Sequence, residues 1–240
     1  MAEGVNRAIK STQEQAVAAW ITHLNQVRLD ELVAKLNQQD TNLEESLKEL
    51  EEIKQFIGDP AHILGSSATK HGEIAEHMQV NFVNARRMIQ GLDKNHTFDG
   101  VGRTVPKDYI RDGQQVQSKF YNGLRNTLFG KHALSEHLET YSDFIKNGGS
   151  YDIPKDQYEK MLELLDVYKN NPSKLSTTDY SLAKKINEFL ESNNLELGKD
   201  INPAVVDYGE VQQETANKIV GNEEKNIKKE DKKQRKKAYD

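Results

Sequence analysis

The sequence predicts an α+β protein, predominantly helical, with a small mixed sheet. Three observations predict it. The N-terminal region carries leucines at heptad spacing among helix-favouring residues. A strand–turn–strand signal centres on Asp112-Gly113. Beyond it the patterning alternates between helix and strand periods.

The N-terminal helices come first. Ser11-Thr12-Gln13-Glu14 has the form of a capping box, and a helix follows to about Gln38. Thr41-Asn42-Leu43-Glu44 is a second start signal, with a helix to about Ile57. Leu29, Leu36, Leu43, Leu50 and Ile57 recur every seven residues, and Leu32, Leu47 and Ile53 widen the stripe. Such a stripe serves a helical hairpin folded on itself or a coiled coil between two chains, hence a homodimer. The second start signal favours the hairpin. Trp20 reads as a helix-packing residue. Gly58-Asp59-Pro60 closes the element, and Gly65-Ser66-Ser67 reads as a linker.

The segment Val105–Phe120 reads as a hairpin around a type I′ turn, because Asp-Gly tolerates the positive φ that both central residues need. The turn sets the register. Arg111 faces Gln114, Ile110 faces Gln115, Tyr109 faces Val116 and Asp108 faces Gln117. Alternation then places Asp108, Gln117 and Lys119 on one face, and Val105, Tyr109, Val116 and Phe120 on the other. An acid, an amide and an amine on one face suit phosphodiester chemistry. Upstream, Lys70–Gly91 reads as a mostly buried helix, with Glu73 and Glu76 three residues apart on nearly one face. Downstream come a helix from about Leu124 to Ile145, a break at Gly148-Gly149, a strand Ser150–Ile153 and a helix Lys155–Tyr168.

The spacing of Asp108 and Gln117-Ser118-Lys119 resembles the signature of the PD-(D/E)XK nuclease superfamily, over about residues 70–157. The order helix, hairpin, helix, strand is similar to that superfamily's restriction-endonuclease-like αβββαβ core; its additional strand would come from His96–Arg103. The resemblance implies a Mg²⁺- or Mn²⁺-dependent endonuclease acting on DNA. Asp108 and Gln117 would hold the metal, with Glu73 or Glu76 completing the shell, and Lys119 would assist the nucleophile. A hard divalent cation takes oxygen donors, polarises phosphate and lowers the pKa of attacking water. The chain departs from the pattern in two places. Pro106 precedes Lys107 rather than the acid, and Gln117 stands where Glu is commoner. A neutral amide holds Mg²⁺ less strongly, so a degenerate site that binds without cutting is one alternative. Another is a non-enzymatic helical assembly protein. Restriction, repair, mobile elements and phage defence are all settings in which such modules occur.

The remainder sets bounds. The 240 residues divide on sequence grounds into a helical arm 1–64, a candidate nuclease core 65–169, a helical extension 170–221 and a charged tail 222–240. Ser176-Thr177-Thr178-Asp179 starts a helix in the extension, with Leu182, Ile186, Phe189 and Leu190 as its apolar stripe. The tail carries eight basic and five acidic residues and reads as disordered, or as continuing into a longer protein. Lys232, Lys233, Arg235, Lys236 and Lys237 are its weak candidates for nucleic-acid contact. Net charge is −5, which argues against broad nucleic-acid coating but not against a local basic patch. With no cysteine, disulfide and thiolate-metal chemistry are excluded. Neither a signal peptide nor a membrane-length apolar run is read, so a cytoplasmic location is expected. Phosphate-loop, dinucleotide and HExxH motifs are absent, and His71 and His77 lie six apart, on nearly opposite helix faces.

Overall fold

The computed structural model describes residues 2–58, 67–102 and 105–239. Asp59, Pro60, Gly65 and Ser66, expected at a break and a linker, lie outside the described residues, as do Arg103 and Thr104 at the end of the additional strand.

Helix α1 spans Ala2–Gly58 without interruption. The expected hairpin at Thr41 does not form. Thr41 Oγ1 instead donates to the Asn37 carbonyl one turn back (3.3 Å), and Gln38 Nε2 donates to Asn42 Oδ1 (3.0 Å). Continuing the helix lets Leu50, Ile53 and Ile57 enter the core, with Leu43 and Leu47 packed at its edge. That burial outweighs a local cap signal worth about 1 kcal/mol. In the first half of α1, Val17, Trp20 and Ile21 are exposed, Trp20 at 62% rather than packed.

Helix α2 (Ser67–Met88) runs antiparallel to α1, placing Asn84 beside Glu49 and His77 beside Phe56. The third member of this bundle is the tail. Residues 222–239, read as part of a disordered tail, continue the end of the helical extension as helix α7, Gln213–Tyr239, which lies on α1 and α2. Its inner stripe of Ala216, Val220 and Ile227 is apolar, and Glu223 and Asp231 fill the remaining positions. Arg86 meets Glu223 (2.5 and 2.9 Å), while Gln39 (3.1 Å) and Arg235 (2.9 and 3.0 Å) meet Asp231. A buried carboxylate is tolerated when it is paired and hydrogen-bonded, and each of these is.

The sheet has five strands in chain order: β1 (His96–Thr97), β2 (Tyr109–Arg111), β3 (Gln114–Ser118), β4 (Ser150–Ile153) and β5 (Ile201–Pro203). β1, β2 and β3 pair antiparallel, whereas β4 and β5 join parallel. The hairpin register is the expected one, and Asp112 and Gly113 take φ of 50° and 80°. The segment read as a C-terminal extension therefore supplies a strand of the same sheet. The helix expected over Leu124–Ile145 is instead two short ones, α3 (Leu124–Phe129) and α4 (Leu134–Thr140), separated at Gly130. A Cβ at Gly130 would stand 2.6 Å from the Asn126 carbonyl, so the bend needs glycine. Helices α5 (Lys155–Asn170) and α6 (Thr177–Ser192) follow, the latter capped by Ser176. α2 covers the face of Tyr109 and Val116 through Val80. α3 to α6 cover the face of Tyr151, Ile153 and Ile201. Val105, expected on the apolar face, is 37% exposed.

Candidate active site

The hairpin builds one wall of a small cleft. Asp108 directly precedes β2, and its N–H donates to the Val116 carbonyl (2.8 Å), one residue out of step with the Tyr109–Val116 pairing. Its Oδ2 accepts the Ser118 backbone N–H (2.8 Å) and the Gln117 Nε2 amide. Lys119 follows β3, where its N–H donates to the Asp152 carbonyl (2.9 Å) and extends the parallel pairing with β4. The site thus sits where the antiparallel hairpin meets the first parallel strand.

The opposite wall is the N-terminal part of α2. Glu73 and Glu76 line the same cleft as Asp108, Gln117 and Lys119, around a volume of about 190 Å³. All five side chains expected from the sequence share it. The charges interact. Burial raises the Glu76 carboxyl well above its ordinary range, and the Asp108 and Glu73 carboxylates raise it further, against the pull of Lys119. Burial also pushes Asp108 up to about 6, although Ser118, Lys119 and Gln117 oppose the shift. Lys119 is lowered by burial, which the surrounding acids Asp108, Glu76 and Glu136 only partly offset. Like charges crowded into a small space raise one another's pKa, and a cation between them removes the penalty.

Two functional groups were not read from the sequence. Tyr121 also lines the cleft, and its hydroxyl donates to the His132 carbonyl (3.1 Å). Lys119 Nζ donates to that same carbonyl (3.1 Å). His132 adopts a left-handed φ of 60°, and the Glu136 side chain accepts its N–H. Alternation from Lys119 could have pointed to Tyr121; nothing local marks the carbonyl of His132.

The donor types, though not a formed group of three acids, are those a hard divalent ion takes. Asp108 and Glu76 offer carboxylate oxygens and Gln117 an amide oxygen, and Mg²⁺ is commonly held by one or two carboxylates with water filling the rest. The Gln117 amide turns its nitrogen to Asp108, so its oxygen would face a cation only after the amide rotates. Among the described residues, no group of three or more His, Asp or Glu side chains is placed so that it could hold a metal ion.

The basic candidates on α7 divide. Arg235 is committed to Asp231 and Asp40, and Lys233 pairs with Glu230. Lys232, Lys236 and Lys237 are exposed and make no ion pair among the described residues. Helical spacing aligns Lys232 and Lys236 with Lys218, Lys225 and Lys229, which are also exposed. No described helix is long and apolar enough to cross a membrane.

No family model, curated protein or solved structure matches this chain.

Proposed function

We propose that this protein is a Mg²⁺- or Mn²⁺-dependent phosphodiesterase of PD-(D/E)XK type, acting on DNA. The observation that carries the reading is convergence: Asp108, Gln117, Lys119 and the two glutamates of α2 line one cleft. The element order from α2 through β4 supports it, since an antiparallel hairpin followed by a helical crossover to a parallel strand is what the resemblance implies. Asp108, Gln117 and Glu76 would hold the ion, with Glu73 beside them. Bound there, the metal supplies polarisation of the phosphate and a more acidic water. Lys119, oriented by the His132 carbonyl, faces the charge that develops on the phosphate oxygens. The lysines along α7 offer counter-charges to a nucleic-acid backbone. A cytoplasmic setting, where DNA and Mg²⁺ are both available, suits this chemistry.

Two copies of the chain would act together. Val17, Trp20, Ile21 and Leu24 lie at positions i, i+3, i+4 and i+7 of α1 and are 57, 62, 52 and 38% exposed. A stripe of that kind fits the same stripe of a second copy.

The test is cleavage of plasmid and single-stranded DNA with Mg²⁺ or Mn²⁺, comparing the native protein with Asp108→Ala and Lys119→Ala. Cutting that needs metal and is lost in both variants is the expected result. One observation favours a second reading, a nuclease-like fold that binds nucleic acid without cutting: a neutral Gln117 whose amide nitrogen already compensates Asp108. No cleavage, together with salt-sensitive DNA binding, would select it.

A further inference from the structure

A larger cleft lies along the same helix, beyond Glu76. It encloses about 760 Å³ between α1, α2 and the β1 edge of the sheet. One wall is aromatic. The Phe56 and His77 rings stack with centroids 3.8 Å apart, and Phe98 follows His77 at 4.8 Å. The polar groups of this cleft fall into two sets. One is satisfied within the protein: Asn84 bridges Glu49 and the backbone of His96, and Lys94 pairs with Glu49. The other is not. Asn81 is 4% exposed and its amide makes no hydrogen bond among the described residues. His96 is 5% exposed and its Nε2 has no partner. The contact of His96 Nδ1 with Asn95 Oδ1 (2.8 Å) places the ring proton on Nδ1, which leaves Nε2 an acceptor. The Asn81 amide lines the cleft, whereas His96 Nε2 is buried without a partner, which costs free energy that a ligand able to reach it can recover.

The charges limit the ligand. With Lys94 taken by Glu49, the rim presents the Glu52 and Asp112 carboxylates. Burial lowers His96 to about 4, so its ring adds no positive charge at neutral pH. Phosphate is disfavoured there. A flat ring with its own donors and acceptors is favoured, by the aromatic wall and by the unpaired amide and imidazole.

We propose that this cleft binds an uncharged heteroaromatic ligand of nucleobase type, as the free base or nucleoside and without phosphate. The site is separate from the acid–lysine cleft and does not depend on its chemistry. Calorimetric titration of the whole protein with adenosine, guanosine, cytidine and thymidine, and with their 5′-monophosphates, tests it. At least one nucleoside saturates the protein, and its monophosphate binds ~10-fold more weakly because of the acidic rim. Phe98→Ala and Asn81→Ala each weaken the nucleoside by about 10-fold while the protein stays folded by circular dichroism. Glu52→Lys, a change at an exposed residue, leaves nucleoside affinity in place and strengthens the monophosphate. A single-stranded thymidine oligonucleotide does not compete. The proposal is overturned if no nucleoside binds, if the monophosphate binds as tightly as the nucleoside, if the oligonucleotide competes with the nucleoside, or if binding ignores Phe98→Ala and Asn81→Ala.

Discussion

The Asp108 carboxylate accepts the backbone N–H of Ser118 at 2.8 Å, across the hairpin and between the two functional side chains Gln117 and Lys119. The acid is therefore anchored by the strand that carries its partners. Even so, burial holds Asp108 at about 6. The sign follows. Between its ordinary value near 4 and about 6, the folded protein binds the proton more tightly than the unfolded chain, so stability falls as pH rises through that window. Asp108→Asn removes the charge and should stabilise the metal-free protein at pH 7 by ~1–2 kcal/mol, while abolishing cleavage. Urea unfolding at pH 5 and pH 7 checks this, with a gain at pH 7 that shrinks at pH 5. A variant less stable than the native protein at pH 7 would contradict it.

Metal addition should act in the opposite sense. Millimolar Mg²⁺ should raise the melting temperature of the native protein, by an amount equivalent to about 2–3 kcal/mol if the ion is present at ~100 times its dissociation constant. Asp108→Ala should remove the increment. Thermal unfolding with and without MgCl₂ measures it, and an equal rise in both proteins would place the ion elsewhere.

Lys119→Met should reduce cleavage by a factor on the order of 10²–10³, with little change in DNA affinity, because its charge serves the reacting phosphate rather than general attraction. Single-turnover rates alongside equilibrium binding separate the two effects. Equal losses in rate and affinity would make Lys119 a binding residue.

Asp152 is fully buried, and it accepts both Arg111 Nη1 (2.9 and 3.0 Å) and the Tyr109 hydroxyl (2.5 Å) across three strands. Arg111→Met leaves that carboxylate without its cation and should destabilise by ~3–5 kcal/mol. Adding Asp152→Asn to that variant should recover part of the loss, since the buried charge is then gone. Denaturant unfolding of the single and double variants decides it; a double variant no better than the single one would show that packing, not charge, sets the cost.

Two buried histidines and the half-buried His77 set the acid limit. Burial lowers His77, His96 and His137 each to about 4. Below an ordinary value near 6.5 the unfolded chain takes up protons that the folded protein refuses, so stability is complete above pH 6.5 and is lost as pH falls toward 4. The summed loss should reach a few kcal/mol, roughly 1–3 per histidine. Unfolding free energies from pH 7 to pH 4 measure it, and a flat profile would contradict the burial of these rings.

Much of the candidate site was legible in the chain because its order is local. Asp112-Gly113 dictates a turn, the turn dictates the register, and strand alternation then puts Asp108, Gln117 and Lys119 on one face, as the pairing bears out. The strand Ser150–Ile153 and the Ser176 cap were readable for the same reason. Position across the sheet was less so: Glu73 and Glu76 of α2 were placed beside Lys119 only through the resemblance, and the His132 carbonyl that receives Lys119 not at all, because both depend on how separate elements pack. The tail shows the limit most clearly. Its composition argues for disorder, because three apolar residues cannot by themselves offset the entropy of ordering a helix. The tertiary structure decided otherwise. Arg86 neutralises Glu223, Arg235 neutralises Asp231 from one turn away, and Gln39 donates to Asp231, so the charged stripe of α7 closes the bundle. Arg86 and Gln39 lie far away in the chain, and pairing between distant residues leaves no periodic trace in sequence.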